Sequence, residues 1–122
     1  MKSFTVRVYG VPYCRHKRRG AVDAPKIWTA EVIKQTAYAP LVTYPCHLKV
    51  IFYLPEDKFP SDCPYGPDLD NLLKRLMDGL NETIFRNVVG KDSCVVRVTA
   101  RKMKVSSMEK SGAKIRVQQI KF

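Results

Sequence analysis

Residues 66–85 read GPDLDNLLKRLMDGLNETIF, and the fold is decided by how this stretch is read. Leu69, Leu72, Leu73, Leu76, Met77, Leu80 and Ile84 recur at spacings of three and four, which predicts an amphipathic helix with one buried face. Its charges gather at the start. Asp68 and Asp70 stand where unpaired backbone N–H groups and the positive end of the helix dipole favour carboxylates. Within a helix, residues two apart are rotated by about 200° and point to opposite sides. The two acids can therefore share a ligand only if Asp68 lies outside the helix, and Pro67 can hold the entering chain extended so that Asp68 is the N-cap. Asn71 follows, and Lys74 lies one turn beyond Asp70 on the same face. An ordinary capped helix, with Asp70 and Lys74 as a solvated ion pair, is the plainer reading of these residues taken alone.

The rest of the chain bears on that choice. At 122 residues it is read as a single domain spanning 1–122, 45% hydrophobic and 27% charged. The formal charge is +11 and the pI is near 9.7. The charge is divided as +7 in residues 1–55, −3 in 56–92 and +7 in 93–122, an acidic island in a basic frame. A basic protein binds polyanions by counterion release, so nucleic acid is the leading partner. Carboxylates beside phosphates repel unless a cation intervenes, and a divalent metal would serve. No apolar run approaches membrane-spanning length, and the N-terminal residues lack the apolar segment of a secretory signal. Cys14, Cys46, Cys63 and Cys94 have neither C-x-x-C spacing nor a close histidine, which argues against structural zinc and for reduced thiols in the cytoplasm.

Outward from the central helix, strand signals alternate with helical ones. Phe4, Val6 and Val8 alternate with polar residues as a first strand. Tyr13 to Gly20 is a basic loop in which Arg15, Lys17, Arg18 and Arg19 form either a phosphate-gripping arm or a solvated run, with the arm preferred on the charge of the whole chain. His16 and His47, each alone, point to nothing catalytic. Asp23 and Pro25 open a helix with Ile27, Ala30, Ile33 and Ala37 along one face, and Trp28 and Tyr38 are read as core or interface. Pro40 to Pro45 is read as an exposed connector. Leu48, Val50, Phe52 and Leu54 mark a second strand. Loop acids Glu56, Asp57 and Asp62 are either extra ligands or solvated. Asp92 precedes a third strand in which Val96, Val98, Ala100 and Lys102 share one face and Arg97, Thr99 and Arg101 the other. A lysine there must snorkel or meet a partner, for which either phosphate or an acid would serve. Ser106 to Gly112 reads as a hairpin loop before a last strand with Ala113, Ile115 and Val117 on one side. The expected fold is α+β, in the order β-α-β-α-β-β, with one mixed sheet packed by helices.

Pro67-Asp68-Leu69-Asp70-Asn71-Leu72-x-Lys74, then Asp78-x-Leu80-Asn81, then Asp92-Ser93-x-Val95-Val96 with Lys102 ten residues after Asp92, resembles the RusA family of Holliday junction resolvases. The resemblance implies a homodimeric, magnesium-dependent endodeoxyribonuclease of DNA recombination and repair that cuts four-way junctions by paired nicks, with Mn2+ as a possible substitute. It implies Asp68, Asp70 and Asp92 as metal ligands, Lys74 as the cation at the scissile phosphate, and Arg15, Lys17, Arg18, Arg19 and Lys102 as DNA contacts. Lys91 stands where many members carry a second acid, so the number of metal ions stays open. A metal held by carboxylates would activate water and polarise the phosphodiester. The other readings are a non-catalytic basic nucleic-acid-binding protein and a nuclease for other branched DNA.

Overall fold

The computed structural model describes residues 2–12, 24–59 and 65–121. Strand β1 is Ser3–Tyr9, helix α1 Ala24–Thr36, strand β2 Cys46–Pro55, helix α2 Leu69–Leu80, strand β3 Val95–Val105 and strand β4 Gly112–Gln119, with single 3-10 turns at Glu56–Lys58, Lys91–Cys94 and Met108–Lys110. This is the α+β order expected from the periodicities. The strands form one mixed sheet in the order β1-β4-β2-β3: β1 and β2 both run antiparallel to β4, and β3 runs parallel to β2. The β2-to-β3 connection carries α2, as a parallel pair requires a crossover long enough to return the chain to the same end of the sheet.

Both helices lie on one face of the sheet. The alternating residues Val8, Leu48, Val50, Phe52, Leu54, Ala113, Ile115 and Val117 point into them and are buried, together with Leu72, Leu76 and Leu80 from α2. Burial of each such side chain contributes on the order of 1.5–3 kcal/mol, which makes this face the main source of stability.

Four local expectations change. The buried stripe of α1 is Pro25, Trp28, Val32 and Thr36, while Ile27 is 62% exposed and Ala30 and Ala37 are exposed. Turning the indole inward removes more apolar surface from water than turning Ile27 inward would, and it sets Val32 against Gly79 of α2, where the absence of a side chain lets the helices approach. Trp28 is thus core, whereas Tyr38 is almost fully exposed. The connector before β2 is not an exposed one, because Val42 and Tyr44 enter the core and the Val42 N–H donates to the Ile84 carbonyl at 2.8 Å. The 106–112 segment is not a hairpin loop: β2 lies between β3 and β4, so the chain crosses over the end of β2. Finally α2 ends at Leu80, and Ile84 and Phe85 reach the core from the turns that follow.

Candidate functional site

At the start of α2, Asp68 is the N-cap residue in extended conformation (φ −64°, ψ 132°), and Asp70 is already helical. The capping position is occupied without capping, since the Asp68 carboxylate takes no hydrogen bond from the helix's free N–H groups. Its side-chain contact among the described residues is a long one, from Asn71 Nδ2 at 3.5 Å. Among the described residues Asp70 Oδ1 accepts only the neighbouring Asn71 N–H, at 3.0 Å. Both carboxylates are exposed, as is Lys74 one turn further along. A capping carboxylate at this position would satisfy an orphan donor and stabilise the helix by about 1 kcal/mol. Two carboxylates kept free instead leave hard oxygen donors suited to a hard divalent cation.

The loop entering this site is fastened from the sheet. Lys102 lies on the helix-facing side of β3, opposite Phe52 of β2. Its Nζ donates to the Tyr65 carbonyl at 2.6 Å and the Pro67 carbonyl at 2.8 Å. Two of its three donors thus hold the two turns of chain that deliver Asp68, and its partner is backbone rather than an acid.

Asp92 lies elsewhere. Asn81, the C-cap residue of α2, donates from Nδ2 to Asp92 Oδ2 at 3.0 Å and accepts the Asp92 N–H on Oδ1 at 3.0 Å. The turn that presents Asp92 runs through Gly90 (φ 81°) and Lys91 (φ 51°), two successive left-handed residues. At Lys91 that conformation costs on the order of 1 kcal/mol. Glycine suits position 90, since L side chains rarely adopt its φ of 81°. A helix of twelve residues is about 18 Å long, and Asp68 and Asp92 stand at its opposite ends. The sheet agrees: from Val95 to Lys102 is seven residues of strand, about 23 Å. One chain therefore brings together Asp68, Asp70 and Lys74 and holds Asp92 apart, and no three His, Cys, Asp or Glu side chains form a metal-holding group among the described residues. Asn81 is the site residue that reasoning on the motif left without a role. Its signal is its spacing as the residue after the last buried leucine of α2.

Arg15, Lys17, Arg18, Arg19, His16, Cys14, Asp23, Asp62 and Cys63 lie outside the described residues. Glu56 and Asp57 are exposed in the turn after β2. The two described thiols, Cys46 and Cys94, are not activated as nucleophiles. Burial, followed by the neighbouring Cys94, pushes Cys46 up to about 12, and burial raises Cys94 as well. No helix among the described residues is long and apolar enough to cross a membrane.

A basic α+β domain with uncommitted carboxylates at a helix start, fed by a loop pinned to the sheet, has the makings of an enzyme acting on phosphodiesters. Residues 14–118 match the family model for Endodeoxyribonuclease RusA, which covers most of the chain, and the protein belongs to that family. It is accordingly a DNA-binding endodeoxyribonuclease of a family that acts on Holliday junctions. No curated protein matches the chain.

Proposed function

We propose that this protein is a homodimeric, magnesium-dependent, structure-selective endonuclease that resolves four-way DNA junctions by paired nicks, with Asp68 and Asp70 as metal ligands and Mn2+ as an alternative ion. The observation that carries this reading is the N-cap carboxylate of Asp68, which forgoes capping and is exposed at the helix start with Asp70, one turn before Lys74. When bound, the divalent ion would supply an activated water and a polarised phosphodiester. Lys74 follows Asp70 by one turn and offers a compact positive charge to the phosphoryl oxygens as charge develops on them. Lys102 keeps the Tyr65–Pro67 backbone, and so Asp68, from drifting.

A homodimer is supported by the same geometry, because Asp92 is separated from the other two acids by the length of α2. Among the described residues β3 is an edge strand whose outer hydrogen-bonding groups face no neighbouring strand, and Val96 and Val98 on it are 47% and 43% exposed. A two-fold axis through the middle of β3 would pair the two edges antiparallel. It would bring Asp92 of the partner subunit toward the Lys102 end of the strand, beside Asp68. Two-fold symmetry also suits two symmetric cuts.

Cleavage of a synthetic four-way junction and a matched linear duplex, in magnesium and in chelator, tests the activity. Metal-dependent nicks confined to the junction and lost in Asp70→Asn, with binding kept, are expected; junction binding without nicks under any divalent ion would leave only a binding protein. Mixing inactive Asp70→Asn with inactive Asp92→Asn tests the shared site. Mixed dimers should regain one intact site and nick a single strand, whereas acids that act within one subunit would give no recovery.

A further inference from the structure

The face of the sheet turned away from the helices has a composition unlike that of an ordinary solvated surface. Strand register sets its residues in rows: Ser3, Gln118, His47 and Arg97 in one, Thr5, Arg116, Lys49 and Thr99 in the next, and Arg7, Lys114, Ile51 and Arg101 in the third. Six side chains on this face are Arg or Lys and, along the four strands, none is Asp or Glu. Outer faces of antiparallel sheets are commonly polar, but soluble surfaces intersperse both signs. One cation is built in. Arg7 lies 4.4 Å from the centroid of the Tyr9 ring and 4.6 Å from that of Tyr53, and donates to the Val8 carbonyl at 2.6 Å and the Lys110 carbonyl at 2.7 Å. Neutral partners fix its position and leave its charge uncancelled.

We propose that this open face is a second DNA-binding surface, one that grips the phosphate backbone of a duplex arm on the side of the sheet opposite α2. Four strands span about 15 Å and the three rows that hold the cations about 13 Å. Over about 13 Å a duplex carries about eight phosphates, half of them facing one side, so six cations are enough to cover the near side of one arm. A second copy of the chain is a poor occupant, because a two-fold contact would press like charges together. With the acids of α2 on the other face, a branched substrate would meet cations on the open side of the sheet and the carboxylate site on the helix side. The contacts are to backbone, so they favour shape over sequence.

The proposal rests on the nuclease reading only for its choice of probe. Binding of a four-way junction by the full chain in chelator, measured against salt, tests it. Lys49→Gln/Lys114→Gln should reduce the slope of log affinity against log salt by about 1.8 and weaken binding about 60-fold at 0.1 M salt, since each lost phosphate contact contributes about 0.9 to the slope. Lys34→Gln/Lys121→Gln, with the same loss of net charge at exposed positions elsewhere, should change it by far less. In the wild type, junction binding should shield Lys49 and Lys114 from acetylation and spare Lys34. An unchanged slope, or an equal fall in both doubles without shielding, overturns the proposal. If the face variant binds like wild type while the wild type still cuts junctions, only this inference falls; if the wild type neither binds nor cuts, the proposed function falls with it.

Discussion

Replacing Lys102 by Met keeps the alkyl stem and removes the ammonium that holds the Tyr65 and Pro67 carbonyls at 2.6 and 2.8 Å. Hydrogen bonds to a charged group contribute about 1.5–3 kcal/mol each when buried. One of these is exposed and the other half-buried, so the pair is worth about 2 kcal/mol after screening by solvent. For a domain of this size that corresponds to a fall in Tm of about 6–10 °C. The larger consequence is positional. Freed carbonyls let the 65–67 backbone move, and a displacement of about 1 Å in Asp68 is enough to cost on the order of 100-fold in rate. The assay pairs thermal unfolding and hydrogen exchange with single-turnover junction cleavage and the salt dependence of junction binding. Lower Tm, faster exchange at Asn71 and Leu72, whose N–H groups bond to Asp70 and Asp68, slower cleavage and an unchanged salt slope are expected together. Lost cleavage with unaltered Tm and exchange, and a slope smaller by about 0.9, would refute this account and make Lys102 a phosphate contact.

Two further outcomes follow from the packing and from the open face. A Cβ at Gly79 would come within 2.8 Å of Val32 Cγ1, so overpacking of about 1–3 kcal/mol outweighs the gain in helix propensity of about 1 kcal/mol. Gly79→Ala should lower the Tm by several degrees, and adding Val32→Ala should recover part of it; stabilisation by Gly79→Ala alone would show that the helices are not in close contact there. Burial, with Arg97 and then Lys49 nearby, holds His47 below its ordinary value of 6.5. The unfolded chain then takes up the proton first, so stability is whole above about pH 6.5 and declines as the pH falls toward the folded-state value. Thermal unfolding at pH 7.5 and 5.5 should show a smaller acid loss in His47→Gln than in wild type, and an identical loss in both would remove His47 from the account.

The sequence determined the helix that organises the site, because its apolar residues recur with the helical period and its two acids fall at its start. It likewise determined the parities of the four strands, since alternation alone assigns Arg97, Thr99 and Arg101 to one face and Lys102 to the other. Family membership was legible too, carried by acids, lysine and asparagine at set spacings. Local pattern could not say which strands pair, and so a short polar segment before β4 read as a hairpin when the chain in fact crosses β2. Nor could it give the partner of Lys102, which is a pair of carbonyls 35 and 37 residues away, or reveal that Val42 and Tyr44 are covered. Spacing along the chain makes Asp92 a member of the acidic set, but tertiary structure puts it at the other end of α2, tied to Asn81. The rows of cations on the open face also had to await the sheet order, because charges from four separate strands become neighbours only through hydrogen-bonded register. Side-chain period is a local property of backbone geometry, whereas proximity between distant segments is settled by which surfaces bury the most together, and only the folded chain makes that choice.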